Sequence, residues 1–251
     1  MDEAKVALVT GAGRRIGAAI ARRLQADGWA VAIHCGRSRA EADVLAAELN
    51  ALRADSARVF AADLRDEGAC EQLLTRLAVE WSAPAALVNN ASSYLPTPFG
   101  SVTAAAIDEL IATNLKAPLL LTQAAHASGA LRVVVNLLDT HSRHQPRAGF
   151  SAYTAAKDAL WALTETLAVE LAPQVRVNGV ALGHILAEVG DPPSEAELVD
   201  LADKSAQIER VPLARYGLPR EVAAAVAWLL SDEAGYVSGS IIPIDGARRL
   251  A

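Results

Sequence analysis

The sequence predicts an α/β fold built on a doubly wound parallel sheet, and three observations predict it. Short aliphatic or β-branched runs alternate with longer stretches of helical periodicity, the pattern of strands joined by right-handed helical crossovers. The first run, Val6 to Val9, leads into Thr-Gly-Ala-Gly-Arg-Arg-Ile-Gly, a glycine-punctuated turn that opens a helix. No repeat, low-complexity tract or linker interrupts the 251 residues, so a single Rossmann-type domain over residues 1–251, with a sheet of about seven strands and helices on both faces, is expected.

The expected strands are residues 6–9, 30–34, 58–61, 85–89, 131–137, 175–180 and 241–244, each an apolar run short enough for a strand buried on both faces. Between them, helical spacing appears in Ile16, Ala19, Ile20 and Leu24, in Leu45, Leu49 and Leu52, in Leu73, Leu74, Leu77 and Trp81, and in Leu160, Leu163, Leu167 and Leu171. A sheet wound this way meets its ligand at the carboxyl ends of its strands. The one composition shift is 190–203, rich in Asp, Glu and Pro. With Gly183 and Gly190 as hinges, residues 184–206 read as a polar flap over that site.

Charge and hydropathy narrow the function classes. The chain carries 23 basic and 29 acidic side chains, a net −6, with a pI near 5.4, which gives no general attraction to nucleic acid or to an anionic membrane. The mean hydropathy of +0.22 comes from alanine, and no apolar run approaches the ~20 residues that cross a bilayer. Asp2 and Glu3 stand where a secretory leader needs basic and then apolar residues. A cytoplasmic enzyme acting on a small molecule is expected, without nucleic-acid or membrane partners. Cys35 and Cys70 lack metal-ligand spacing and are too few for a disulfide framework, so no metal is expected and both read as reduced, structural thiols.

The opening turn suits a pyrophosphate. Gly11 and Gly13 permit a tight bend, and the unpaired N–H groups of the helix that begins near Ile16 and Gly17 face it, although an ordinary strand-to-helix connection has the same sequence. A chain built for NAD presents a carboxylate after its second strand. This one presents His34, Cys35, Gly36, Arg37 and Ser38, with no carboxylate between Asp27 and Glu41. A cationic, hydroxyl-bearing cluster of His34, Arg37 and Ser38, joined by Arg15, fits a ribose 2′-phosphate, so NADP(H) is expected; a solvated Arg37 is the competing reading. Asp63, with Leu64 beside it after the third strand, either accepts from the adenine amino group or caps the next helix.

Tyr153 and Lys157 stand four apart in a helical run, on one face. A fixed cation beside a phenol favours phenolate and draws its pKa down from about 10, towards the range where tyrosine works as an acid or base. Pro118 lacks the N–H that would bond the carbonyl of Asn114; that carbonyl either holds a relay water or simply marks a bend in the helix.

Thr10-Gly11 with Gly17, Asn89-Asn90-Ala91, Asn114, Tyr153 with Lys157, Arg176-Val177-Asn178, Ser238-Gly239 and Asp245-Gly246 fall in the order and spacing of the short-chain dehydrogenase/reductase family. The resemblance covers nearly the whole chain. It implies hydride transfer from nicotinamide C4, with Tyr153 supplying the proton, Lys157 tuning it and holding the ribose hydroxyls, Asn114 completing a relay, and Asn90 and Ala91 in the dinucleotide site. It also implies a homodimer or homotetramer.

The departures from that pattern are more specific. Arg15 stands where the family turn usually has its second glycine, Ser92 replaces a glycine, Tyr94 lies three residues beyond Ala91, and Asp139 stands near the position of the usual serine partner of the tyrosine. Together they resemble the pteridine reductase branch of the family. A flat pterin ring lying between nicotinamide and Tyr94, with Arg15 and Ser92 at its polar edges and Asp139 meeting its N–H donors, makes physical sense of them. The expected activity is NADPH-dependent reduction of a dihydropterin, with dihydrofolate and oxidised pterins as further candidates.

Three alternatives stay open. The family's partner residue normally stands thirteen before the tyrosine, at Thr140, whereas Asp139 stands fourteen before it. With Thr140 or Ser142 as partner, the chain reads as a reductase of ketones or 3-oxoacyl thioesters. A third reading is a scaffold that senses NADP(H) without turnover. His141 and His144 lie close by, in a segment, 140–150, that reads as a loop. Ala181-Leu182-Gly183 replaces the usual Pro-Gly, which loosens the turn on the nicotinamide side and leaves Ile185 as the backbone contact for the carboxamide. On the helix of Tyr153, the residues Trp161, Thr164, Glu165 and Ala168 suggest a face for a partner helix, with core packing of Trp161 the competing reading. Arg248 and Arg249 are expected to approach a neighbour's active site.

Overall fold

The computed structural model describes residues 5–186 and 208–251; most of the expected flap, 184–206, lies outside the described residues. One parallel sheet contains β1 (Val6–Val9), β2 (Ala30–Cys35), β3 (Ala57–Ala61), β4 (Ala86–Asn89), β5 (Val133–Asp139), β6 (Arg176–Leu182) and β7 (Ile241–Ile244), in the order β3-β2-β1-β4-β5-β6-β7. The winding direction changes between β1 and β4, and a crevice opens there at the carboxyl ends of the strands. β1, β2 and β4 are buried at every position because helices cover both faces. The helices α1 (Arg15–Ala26), α2 (Arg39–Leu52) and α8 (Pro219–Leu230) pack on one face, and α3 (Ala69–Glu80), α5 (Ala117–Ala127) and α7 (Ser151–Glu170) on the other.

Local differences from the sequence expectation have identifiable causes. β5 and β6 end two residues later than their apolar runs suggest, because the ladder between them continues to Asp139 opposite Leu182. Leu52, the last residue of α2, is exposed, since the inward stripe stops where the helix does. The segment 140–150 is not wholly loop: it opens with a one-turn helix, α6 (Thr140–Arg143), which Asp139 caps by accepting from the His141 N–H. A π turn (Ala112–Lys116) joins α4 (Ala104–Ile111) to α5. It falls where Pro118 withholds an N–H, and it carries the fully buried Asn114.

The partner-helix face read from α7 is corrected in part. Thr164 is fully buried and Ala168 packs in the core, on the stripe four and eight residues beyond Leu160. The Thr164 hydroxyl donates to the Leu160 carbonyl (2.7 Å) and accepts from Asn136 Nδ2 (2.9 Å). Glu165 is exposed, while Trp161 is half-buried: it packs against the cluster of Leu138, Leu160 and Ala181, with the Arg143 guanidinium 4.9 Å over the indole. Among the described residues no helix is long and apolar enough to cross a membrane, and no cluster of His, Cys, Asp and Glu is placed to hold a metal. Cys35 and Cys70 are buried free thiols.

Candidate active site

The chain turns sharply after β1 because Gly11 adopts φ +61°, and a Cβ there would lie 3.0 Å from the Ala91 Cα. A Cβ on Gly17 would lie 2.4 Å from the Gly11 carbonyl oxygen, so the turn sits directly on the start of α1. Asn90 locks this arrangement: its Nδ2 donates to the carbonyls of Thr10 (2.8 Å) and Gly11 (3.1 Å). Thr10 Oγ1 accepts the backbone N–H of Asn90 and of Ala91, each at 2.9 Å. The result is a cradle of close backbone at a helix N-terminus, which fits the pyrophosphate of a dinucleotide. Gly13 brings the turn against Ser38, whose Oγ would lie 2.7 Å from an added Cβ.

Arg15 begins α1 with φ +54°. A side chain in the left-handed region costs about 1–2 kcal/mol, so an arginine is held here in a backbone conformation that favours glycine. Its side chain, with Ile16, Arg37 and Ser38, lines the crevice. His34 also lines the crevice, but as a neutral ring, so only the positive charge expected of it is corrected. The ring is 2% exposed, accepts the Gly11 N–H at Nδ1 (3.2 Å) and meets the Ala62 carbonyl at Nε2 (3.1 Å). Burial pushes its pKa down to about 4 against the opposing pull of the Ala62 carbonyl and Asp63. It is a neutral strut between the turn and the end of β3. Asp63 is not a helix cap either, since Gly68 occupies the N-cap of α3. Its carboxylate takes Arg65 Nε at 2.9 Å, and the Arg65 hydrogen bond holds its pKa down to about 2. Asp63 and Leu64 line the same end of the crevice.

At the end of β5 the Tyr153 hydroxyl donates to Asp139 Oδ2 at 3.0 Å. Thr140 turns away, donating to the Leu182 carbonyl (3.0 Å), and the Ser142 hydroxyl donates to the Asp139 carbonyl (2.8 Å). The phenol is not drawn down towards phenolate as the Tyr–Lys spacing suggests. Burial first, and then the Asp139 carboxylate, raise the Tyr153 pKa well above its ordinary value. Lys157 points its ammonium at the Leu137 carbonyl (2.9 Å), and burial lowers its pKa to about 8. Burial opposes ionisation of Asp139, but hydrogen bonds from His141 and Tyr153 outweigh it and leave that pKa lowered.

The crevice has a volume of about 1240 Å³, beyond the ~300–1,000 Å³ of a site for one small ligand and roomy enough for a dinucleotide with a second ring. Tyr94, 49% exposed, stacks on Phe150 (4.6 Å, 16°) and meets Tyr153 edge-on (4.8 Å). Its hydroxyl accepts from Arg147 (2.8 Å). The Asn114 side chain is engaged in holding the loop of Ser92: Oδ1 accepts from Ser92 Oγ (2.6 Å), and Nδ2 donates to the carbonyls of Ser93 and Leu110.

The turn after β6 is tied down rather than loosened. The Gly183 N–H donates to the Ile244 carbonyl at 2.9 Å, and a Cβ on Gly183 would lie 2.7 Å from the Asp245 backbone, so Gly183 permits close packing and is no hinge. Ile185 bridges to Gly217 through the carbonyl of His184 and the N–H of Leu186, which turns its own N–H and C=O to the other side. Arg248 lines the crevice of its own chain, with its guanidinium on the His184 ring, and Arg249 pairs with Asp245. Both arginines therefore have partners within their own chain. Sequence reasoning passed over His184, Phe150 and the first-chain role of Arg248. Only the fold brings them to the site, because each comes from a different connection at the carboxyl edge of the sheet.

Comparison with known proteins agrees with this geometry. Residues 11–247 match the family model described as Enoyl-(Acyl carrier protein) reductase. The chain is 36% identical over 290 residues to pteridine reductase 1 of Leishmania tarentolae, covering 98% of this chain and 97% of that one. It is 33% identical over 245 residues to L-xylulose reductase of Bos taurus, covering 96% and 94%. It is 31% identical over 256 residues to a 3-oxoacyl-(acyl-carrier-protein) reductase of Staphylococcus aureus, covering 98% of each. With its parallel sheet, its cradle for a nicotinamide dinucleotide and these full-length similarities, the chain belongs to the short-chain dehydrogenase/reductase family of oxidoreductases.

Proposed function

We propose that this chain reduces pterin-like rings with NADPH: dihydropterins such as dihydrobiopterin or dihydromonapterin, and dihydrofolate. The observation that carries the reading is the carboxylate of Asp139 on the Tyr153 hydroxyl, beside the half-exposed ring of Tyr94. A ketone or thioester offers a carbonyl oxygen, which a hydroxyl pair serves well. An amino-pyrimidine offers several N–H donors, which an ionised carboxylate serves better. The similarity to a protein named pteridine reductase supports the same substrate class.

Arg15, Arg37 and Ser38 would hold the 2′-phosphate of NADPH, with Asp63 and Leu64 at the adenine edge, Gly11, Gly13, Ile16 and Gly17 around the pyrophosphate, Asn90, Ala91 and Ser92 along the ribose side, and Gly183 and Ile185 at the carboxamide. The bound cofactor supplies a hydride to a carbon of the substrate ring. Tyr153 and Asp139 together hold one proton between two oxygens and release it to the ring nitrogen beside that carbon. Lys157 orients the ribose hydroxyls from its anchor on Leu137. Asn114 acts through Ser92, which meets the polar edge of the ring with Arg15, while Tyr94 covers its face. The enzyme works as a cytoplasmic homodimer or homotetramer.

The test is NADPH oxidation with dihydrobiopterin, dihydromonapterin and acetoacetyl thioester in parallel, repeated with NADH. Turnover of the dihydropterins with NADPH supports the reading. Turnover of the thioester alone removes the pterin assignment, and tight NADPH binding with no turnover replaces the enzyme with a sensing scaffold.

A further inference from the structure

The two oxygens of Asp139 have different neighbours. Oδ2 accepts the Tyr153 hydroxyl. Oδ1 accepts the backbone N–H of His141 (2.8 Å) and also approaches its ring Nδ1 (2.9 Å). Capping α6 needs only the backbone bond. The ring bond adds a titratable group to the back of the carboxylate, and that ring is on the wall of the crevice. Neither side chain is sealed from water, with 17% of His141 and 20% of Asp139 exposed.

Reduction of a C=N or C=O bond by hydride takes up one proton in every turnover. Tyr153 is buried with its hydroxyl on Asp139, and Lys157 is buried with its ammonium on a carbonyl; cofactor and substrate filling the crevice would cover the open side of Asp139, which leaves the side where Oδ1 meets His141 for resupply. Imidazole can take a proton at one ring nitrogen and give one from the other, which suits a relay between a carboxylate and water.

We propose that His141 is a positioning residue for Asp139 and the group through which the Tyr153–Asp139 pair regains its proton. The hydride and its electron pair form the new C–H bond, and the nitrogen or oxygen of the reduced double bond takes the proton released by the pair. The pair takes a proton from the His141 imidazolium, and the neutral imidazole takes one from water. One proton enters per hydride, and each group ends the cycle as it began.

The charged and titratable groups around His141 are consistent with this role. Asp139 lies on one side. His184 stacks on the other at 5.1 Å and 19°, followed by Tyr216. Arg248 approaches from the C-terminal turn and Arg147 from the segment before α7, and both act on His184 as His141 does. Burial, then Arg248 and His141, hold His184 down to about 4, so it is a neutral ring that accepts from Arg248. Of the two stacked imidazoles, His141 is the one in contact with the carboxylate.

The proposal rests on the reductase reading but not on the pterin, because a 3-oxoacyl thioester also takes up one proton; whichever of the two the wild type turns over serves as substrate. His141→Asn retains a side-chain donor for Oδ1 and cannot titrate. It should bind NADPH as the wild type does, measured by fluorescence, while kcat falls about tenfold to hundredfold at neutral pH and the pH profile loses its alkaline limb. His141→Ala should be rescued by imidazole added to the buffer, through kcat rather than KM. An unchanged pH profile in His141→Asn, or a loss in His141→Ala that imidazole does not restore, would overturn the proposal. Wild-type turnover of the thioester alone would remove the pterin reading and leave this test intact.

Discussion

Tyr153 donates its hydroxyl to Oδ2 of Asp139 at 3.0 Å, and burial together with that carboxylate keeps the phenol protonated where a Tyr–Lys pair by itself favours phenolate. The phenol faces an anion inside a buried pocket, and the nearby ammonium is engaged by a carbonyl, so the resting tyrosine is protonated. Replacing the carboxylate by a neutral amide removes the charge that holds the proton. Asp139→Asn should therefore bring the Tyr153 titration down towards its ordinary range, read by ultraviolet difference absorbance. NADPH affinity should be unchanged, and dihydropterin kcat/KM should drop about 10²–10⁴-fold. A phenol titration unaffected by the substitution would contradict the coupling.

His34 makes stability depend on pH. The unfolded imidazole binds a proton below about 6.5, but the folded one resists until about 4. Between those values the unfolded chain holds more protons, so the stability present above pH 6.5 declines as the pH falls towards 4, by about 3 kcal/mol if the full shift is realised. Denaturant melts from pH 7 to pH 4 should show this slope in the wild type and a shallower one in His34→Asn. That variant should also be less stable at pH 7, because the Gly11 and Ala62 bonds are weakened.

Arg15 holds a left-handed backbone at the mouth of the cradle. Arg15→Gly should relieve about 1 kcal/mol of strain, raising Tm by a few degrees. The same change should weaken both NADPH and substrate, seen as higher KM for each. A variant that gains stability and keeps both KM values would show that the arginine touches neither.

Arg37 stands where an NAD-binding chain has a carboxylate. A charge-assisted hydrogen bond is worth about 1.5–3 kcal/mol, so Arg37→Glu should reduce the NADPH-over-NADH preference in kcat/KM by at least about tenfold. An unaltered preference would make Arg37 a solvated surface residue and move the 2′-phosphate elsewhere.

The sheet was legible in the sequence because fully buried parallel strands are continuous apolar runs, and Val6 to Val9 or Ala86 to Asn89 have few other structures open to them. The glycine turn was equally plain, since Gly11 and Gly17 answer to backbone approaches that any Cβ would block. What pattern could not show was where polar side chains spend their hydrogen bonds. His34 lies near the end of an apolar strand and precedes Arg37, which suggests a cation for phosphate, yet burial makes the ring neutral. Spacing placed Tyr153 and Lys157 on one helix face but gave no means of knowing that Leu137 would hold the ammonium. Arg248 depends on β7 returning beside β6, a long-range pairing with no local signal. Thr164 resembled an interface residue until Asn136 occupied its hydroxyl.

The central claim is that the carboxylate at position 139, hydrogen-bonded to the Tyr153 hydroxyl, selects a nitrogen-rich ring. The most direct measurement is the ratio of kcat/KM for dihydropterin to that for acetoacetyl thioester, in the wild type and in Asp139→Ser, with NADPH binding as the control for folding. The account expects the wild type to favour the dihydropterin and the serine variant to shift the ratio at least about a hundredfold towards the thioester. A ratio that stays the same in both proteins would contradict it.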